Sequence, residues 1–267
     1  MSIRILFFTL ALAGAGGVLR AEEGARTPPF ITTPADVVER MLSLAGTGPG
    51  DTVFDLGSGD GRIVITAARK FGARGVGIEL DPRLVVKSRE NARLARVADR
   101  VTFVEGDVLA SDISGASVVT VYLLPSLIDR LQPRFVDELK PGTRIVSHAF
   151  PMVGWKPDRT DTMQVTQPHP GQGDESELFL WIVPADARGQ WRGGEWQLRI
   201  EQNYQDLDIE AKREGRALAV KQATLRGSEL AWEAGGARFS GRVDGGRISG
   251  ELVDSGVPVP LVLTRTR

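Results

Sequence analysis

The stretch Asp51-Thr-Val-Phe-Asp-Leu-Gly-Ser-Gly-Asp-Gly-Arg-Ile-Val-Ile-Thr-Ala-Ala68 constrains this chain more than any other. Val53 and Phe54 read as a short buried strand that ends at Asp55. A turn of Gly57, Ser58, Gly59, Asp60 and Gly61 follows, and then Ile63, Val64, Ala67 and Ala68 recur at helical spacing. Strand, glycine turn and helix is a geometry in which backbone comes close to a ligand, with the positive end of the helix directed at the same spot. The ligand is expected to press against main-chain N–H groups of the turn. A dinucleotide-binding turn needs Gly-x-Gly-x-x-Gly or Ala, whereas the last of those positions here is Arg62. Asp55 would repel a pyrophosphate and suits a ligand with a cationic end. From this stretch alone, a glycine turn in an ordinary α/β protein is the alternative.

The Asp-x-Gly-x-Gly-x-Gly form of residues 55–61 resembles the first motif of the class I S-adenosylmethionine (AdoMet) methyltransferases. AdoMet carries an ammonium, a carboxylate and a sulfonium, and no phosphate. The resemblance makes Asp55, Gly57, Ser58 and Gly59 cofactor-binding candidates. Gly75 to Asp81 reads as a second strand, and Glu79 stands about 20 residues past the turn, where a ribose-binding carboxylate is expected. A solvated strand-end acid is the alternative. Pro82 opens a helix through Ala95 with Leu84, Val85, Ser88 and Ala92 inside. Val101 to Val108 is the third strand and its exit. Its Gly106-Asp107 pair resembles the adenine-binding turn of the same superfamily, with Asp107 accepting from the adenine amino group and Val108 offering its N–H.

Ser117 to Pro125 is the fourth strand, whose end should face the transferring methyl group, because open α/β sheets bind ligands at strand carboxyl ends. Many amino-methylating members of the superfamily carry Asn or Asp, Pro, Pro and an aromatic there; this chain has Tyr122-Leu-Leu-Pro125. Tyr122 is a catalytic candidate or a core aromatic. Ser126 to Leu139 is a helix that Pro133 should kink or divide. Thr143 to Phe150 is the fifth strand. His148, at its end, is a candidate general base or a structural histidine. Met163–Val165 and Leu178–Val183 complete a seven-stranded sheet.

Taken together, residues 55–64, the Gly-Ile-Glu79 ending and the segment Phe150-Pro-Met-Val-Gly-Trp-Lys-Pro-Asp158 resemble the ATP synthase c-subunit lysine methyltransferase family. The bacterial relatives are closer still, sharing Tyr122-Leu-Leu-Pro125 and Lys140-Pro-Gly-Thr-Arg-Ile-Val-Ser-His148. They often have Asp where this chain has Ala149. The resemblance covers roughly Phe30 to Pro184 and implies AdoMet-dependent methyl transfer to a protein lysine. A small-molecule methyltransferase and a non-catalytic AdoMet-binding protein are the alternatives.

The chain has 267 residues and a formal net charge of −1, which gives no electrostatic footprint for nucleic acid. It has no cysteine, and only two histidines, His148 and His169, so a metal site is not expected. Arg4 and the apolar run Ile5 to Leu19 read as a signal peptide over 1–21 and an exported body. The alternative is a retained membrane anchor with a cytoplasmic body. Residues 22–33 are a linker ending at Thr33, an N-cap candidate, with Pro34 as the first helical residue. The AdoMet domain spans 34–187. From 188 to 267 the pattern changes to short alternating runs, with turn signals at Gly215, Gly227, Gly235-Gly236 and Gly245-Gly246. The expected fold is a Rossmann-like, mostly parallel seven-stranded α/β sheet followed by a small antiparallel all-β domain.

Overall fold

The computed structural model describes residues 31–168 and 173–266. The expected leader and nearly all of the linker lie outside the described residues, as does His169. From Ala35 the chain alternates helix and strand: α1 (Ala35–Leu44), β1 (Thr52–Leu56), α2 (Arg62–Phe71), β2 (Arg74–Glu79), α3 (Pro82–Leu94), β3 (Val101–Glu105), β4 (Val118–Val121), α4 (Pro125–Glu138) and β5 (Arg144–His148). Two further strands, β6 (Arg159–Gln164) and β7 (Glu175–Ile182), complete a sheet of order β3-β2-β1-β4-β5-β7-β6. The first five strands run parallel, and β7 pairs antiparallel with both β5 and β6. Winding reverses between β1 and β4, so the crevice at their carboxyl ends is the switch point where such sheets take ligands.

Sequence pattern explains the layers. Every residue of β4 is buried, as a parallel strand covered on both faces requires. Val37, Met41, Val64, Ala67 and Val85 cover one face of the sheet from α1, α2 and α3. Ile128, Leu131 and Phe135 of α4 cover the other. Full burial of each of these side chains except that of Ala67 contributes roughly 1.5–3 kcal/mol. In α2, the residues predicted to face inward, Ile63, Val64, Ala67 and Ala68, are the buried ones. In α3, Asp81 caps the start by accepting from the Arg83 N–H, and Val85, Ser88 and Ala92 are buried, while Leu84 is only half-buried.

Two local expectations are corrected. Thr33 does not cap α1: Pro34 occupies the cap position with an extended backbone and no side chain caps the helix. Thr33 is instead buried, and its carbonyl accepts a hydrogen bond from Arg62. Nor does Pro133 divide α4, which runs through it as one element. The carbonyl that Pro133 leaves without an N–H is that of Asp129, on an exposed turn where water can pair it.

The remaining strands are β8 (Gly189–Gly193), β9 (Trp196–Asn203), β10 (Asp206–Arg213), β11 (Arg216–Leu218), β12 (Val220–Arg226), β13 (Glu229–Ala234), β14 (Ala237–Asp244), β15 (Arg247–Asp254) and β16 (Val257–Thr266). They form a nine-stranded antiparallel sheet in which β16 returns to pair with β8. Its two edges, β11 and β12, are consecutive in the chain, so the meander is nearly a closed barrel. Trp191, Trp196, Trp232 and Phe239 anchor its own core. The two sheets nevertheless belong to one compact unit, Thr32–Arg267. The Ala185 N–H donates to the Gly227 carbonyl at 2.8 Å across their junction. Among the described residues no helix is long and apolar enough to cross a membrane.

Candidate active site

The glycine turn sits at the carboxyl end of β1, as its sequence requires. Gly57, Gly59 and Gly61 all have positive φ, at 81°, 54° and 81°. Space also forbids a side chain at two of them. A Cβ on Gly61 would lie 2.6 Å from the Phe103 ring, and one on Gly57 would lie 2.7 Å from Leu123 Cδ2. The main-chain N–H groups are not presented to a ligand as the sequence suggested. Those of Gly57 and Ser58 both donate to the Ile78 carbonyl at 2.9 Å, and that of Gly61 donates to Ser58. The N–H of Gly59 donates to Glu79 Oε2 at 2.8 Å. The donors of Gly57, Ser58 and Gly59 thus fasten the turn to β2. Ser58 adds no side-chain contact at the surface, because it is buried and packs under Gly77.

Three carboxyl groups surround this turn. Asp55 is buried, and its Oδ1 accepts from the Thr120 hydroxyl at 2.8 Å. Burial pushes its pKa up to about 7, helped by the charges of Glu79 and Asp60 and opposed by the Thr120 bond. Asp60 is also raised by burial, but hydrogen bonds and charge from Arg62 bring it below the ordinary carboxylate range. Arg62 therefore folds back on the turn, pairing with Asp60 at 2.7 Å. Glu79, half-buried at the end of β2, takes the Gly59 N–H on one oxygen and the Asp81 N–H on the other, at 2.8 and 2.9 Å. Each oxygen keeps a further lone pair for another donor. Beyond β3, Asp107 is exposed and accepts from the Leu109 N–H at 2.9 Å. Val108 beside it is buried, and its carbonyl is held by Arg134 at 2.7 Å.

Tyr122 and His148, at the ends of β4 and β5, meet. Their ring centroids lie 4.2 Å apart at 35°, with Phe150 stacked 6.4 Å from Tyr122. Both line a pocket of ≈ 270 Å³ with Ala149, Glu175, Ser176 and Glu177. Leu123, next to Tyr122, packs against Gly57 and so joins the end of β4 to the glycine turn. His148 is buried; its Nε2 lies 3.1 Å from the Ser176 hydroxyl and its Nδ1 3.5 Å from that of Thr33. Burial lowers its pKa to about 4. A ring with both nitrogens engaged and so low a pKa is a poor acceptor for an ammonium proton. Ala149 follows with φ 68°, a conformation that costs a non-glycine residue roughly 1–3 kcal/mol and that marks sites where geometry is over-determined. Its N–H donates to the Glu177 carbonyl at 2.8 Å, which fixes the pocket wall to β7.

The site thus unites Asp55, Gly57, Ser58, Gly59 and Glu79 around one turn, sets Asp107 and Val108 at the end of β3, and places Tyr122 and His148 in the pocket they line. Sequence reasoning missed Thr33, Thr120, Ser176, Glu175 and Glu177. Thr120 and Ser176 carried no signal, since a single hydroxyl on a strand has none, and Thr33 carried only that of a helix cap. Glu175 and Glu177 had a weak one: charges at alternate positions, just before the wholly apolar run at Leu178, mark one polar edge of a strand.

A seven-stranded sheet with this strand order, an acid-and-glycine turn after β1 and an acid at the end of β2 define a class I AdoMet-dependent methyltransferase. A family model described as the ANTKMT methyltransferase domain matches residues 55–159. A protein-lysine N-methyltransferase of Saccharolobus islandicus (strain REY15A) is 44% identical over 130 residues, which is 48% of this chain and 81% of that protein. The chain belongs to this methyltransferase family. The adenine nucleotide translocase lysine N-methyltransferase of Mus musculus is 39% identical over 48% of this chain and 56% of its own length. The ATP synthase c-subunit lysine N-methyltransferase of the same species is 36% identical over 49% of this chain and 53% of its own length. The chain therefore spans about half the length of these two mouse relatives. The crystal structure of an RNA methyltransferase from Salinibacter ruber in complex with S-adenosyl-L-homocysteine is also similar. It is 51% identical and covers 57% of this chain and 93% of its own, with a TM-score of 0.51. The cofactor is AdoMet.

Proposed function

We propose that this enzyme transfers a methyl group from AdoMet to the side-chain amine of a protein lysine. The observation that carries the reading is the pocket at the ends of β4 and β5, walled by the Tyr122 and His148 rings and edged by Glu175 and Glu177. Aromatic walls suit an alkyl stem and an attached cation, and exposed carboxylates attract an ammonium while repelling a polyanion. The names of the lysine-modifying relatives agree with this; the RNA named for the Salinibacter ruber protein is a polyanion, and meets two glutamates here.

When bound, AdoMet supplies a methyl group activated by its sulfonium. The residues of this chain would hold the cofactor from one side and the acceptor from the other. Glu79 accepts ribose hydroxyls with its remaining lone pairs. Asp107 receives the adenine amino group, and Val108 lies against the ring. Carbonyl oxygens of the turn, with the Asp55 carboxyl behind them, would take the ammonium end. Tyr122 and His148 orient the lysine stem, so that the enzyme acts mainly by alignment and exclusion of water. With its pKa held to about 4, His148 serves as a wall and not as the base. We also propose that the apolar run at 5–19 exports the body or tethers it to a membrane. Sequencing the mature N-terminus after cell fractionation tests this, and a Met1 start in soluble cytoplasm would end it.

The test of acceptor chemistry is incubation with methyl-labelled AdoMet and a membrane-protein extract, followed by acid hydrolysis. Label recovered as methylated lysine is expected. Label on RNA or on a small metabolite would overturn the lysine reading.

A further inference from the structure

Besides the junction at Gly227, the β domain reaches the catalytic region with side chains at the tip of the hairpin between β9 and β10. That tip is the two-residue turn Tyr204–Gln205, and Tyr204 has φ 54°, an outlier for a bulky side chain. Its ring stacks on Trp155 at 4.6 Å with an interplanar angle of 5°. Its hydroxyl accepts from Gln132 Nε2 of α4 at 2.7 Å, and the same amide donates to the Val153 carbonyl at 2.9 Å. Gln205 donates to the Lys156 carbonyl at 2.6 Å. The tip therefore grips residues 153–156 from the main chain and from a ring at once.

Those residues follow the pocket residues His148 and Ala149 in the chain. The segment leaves β5 at His148, turns at the strained Ala149 and passes Phe150, which stacks on Tyr122. The Phe150 carbonyl accepts from Ser147 at 2.6 Å. At the far end Trp155 is buried, yet its indole N–H has no hydrogen-bond partner, so packing alone locates the ring. Its neighbours there are Tyr204 and Trp181. A strained backbone at a functional site persists only while its surroundings hold it, and the segment that follows Ala149 is held at its far end by the other domain.

We propose that the β domain positions the acceptor wall of the active site, and that Tyr204 is the positioning residue through which it acts. The proposal rests on the reading that the pocket receives the acceptor. It gives the β domain a task separate from cofactor binding, because its hairpin tip touches the 153–156 segment and α4, and among the described residues none of its bonds reaches the glycine turn.

The experiment uses the full chain with Tyr204→Ala and Tyr204→Phe. Three quantities are read: hydrogen exchange across residues 149–157, AdoMet affinity by calorimetry, and labelling of a membrane-protein extract with labelled AdoMet. In Tyr204→Ala, exchange across 149–157 should quicken and the half-saturating extract concentration should rise about tenfold, the scale of one aromatic pair and one hydrogen bond. AdoMet affinity should stay within about twofold, and Tyr204→Phe, which keeps the stack, should recover most of the loss. Unchanged exchange across 149–157 would overturn the proposal whatever the labelling shows. So would a fall in AdoMet affinity parallel to the fall in labelling, since that is general damage. Failure of the lysine reading is a separate result, because it appears in the chemical identity of the label on the wild-type acceptor and not in the ratio of variant to wild type.

Discussion

The two halves of the active site are held in place by different means. The cofactor half, from β1 to β3, is fixed by main chain: a glycine turn whose N–H groups reach β2, and a carboxylate that takes two N–H groups more. The acceptor half, from β4 to β7, is fixed by side chains: a stack of Tyr122 and His148, two hydroxyls on the imidazole, and a tyrosine from the other domain. A backbone cradle tolerates almost no change at its glycines and binds the same ligand across a superfamily. A wall made of side chains can be rebuilt for each acceptor. Substitutions in the first half should therefore cost fold and cofactor together, and substitutions in the second should cost acceptor binding or turnover while sparing the cofactor.

Gly61→Ala should have the largest effect. The residue has φ 81°, and the new Cβ would press on the Phe103 ring at 2.6 Å and on Ser88 Cβ at 2.9 Å. Left-handed backbone and overpacking together cost about 2–5 kcal/mol. Thermal unfolding should show that loss, and calorimetry should show no AdoMet binding. Wild-type affinity in this variant would mean that the turn is not the cofactor cradle. Glu79→Ala comes next. It removes two main-chain bonds that are in the structure and, on the proposed reading, those to ribose. Charge-assisted bonds contribute roughly 1.5–3 kcal/mol each, so AdoMet affinity should fall about tenfold or more in a folded protein. An unchanged dissociation constant would reduce Glu79 to a clasp for the turn.

Tyr122→Leu probes the other half. It removes the stack on His148 and Phe150 without touching the glycine turn. Labelling turnover should drop about tenfold, the scale of two lost aromatic pairs, while AdoMet affinity stays within about twofold. Equal losses in both quantities would erase the distinction between the halves.

The same contrast explains how much could be read in the sequence. The strand, turn and helix from Thr52 to Phe71 and the placing of Glu79 were legible because local spacing encodes them, and the strictly alternating strands of the β domain were legible for the same reason. Thr33 was misread as a cap because Ser or Thr before a proline carries that signal in isolation; its hydroxyl is spent near His148, 115 positions away. Of the two readings of Pro133, a kink or a division, division fails because solvent access to the Asp129 carbonyl is a property of the folded helix, invisible in the local pattern. Donor groups of the turn were expected to face the ligand, and only the pairing of β1 with β2 reveals that they face Ile78 and Glu79. Tyr204 offered no hint at all, since a tyrosine between two alternating runs reads as an ordinary hairpin residue until its stack on Trp155 is seen.

The smallest expected effect is a cancellation, and it sets one residue of each half against the other. Asp55 has its pKa raised to about 7 by burial, from 3.8. Such a group contributes stability that is fully present below 3.8 and lost as pH rises through about 7. His148 has its pKa lowered to about 4 by burial, from 6.5. Unfolding lets it take up a proton, so its contribution is present above 6.5 and is lost as pH falls toward about 4. Between those limits the native state holds one proton more than the unfolded chain at Asp55 and one fewer at His148. The two slopes, each up to about 1.4 kcal/mol per pH unit, oppose one another. Cofactor-free wild-type protein should therefore show little change in stability from this pair across that window. Asp55→Asn should uncover the histidine, and stability should then fall as pH drops from 6.5 to about 4. His148→Gln should uncover the aspartate, and stability should then rise as pH drops from about 7 toward 3.8. Carboxyl groups away from Asp55 titrate alike in all three proteins; only its neighbours Glu79 and Asp60 feel its removal. Denaturant unfolding at half-unit steps of pH measures those differences. Slopes of the same sign in the two variants would mean that one of these residues is not held as burial demands, and the stiffness assigned to its half of the site would go with it.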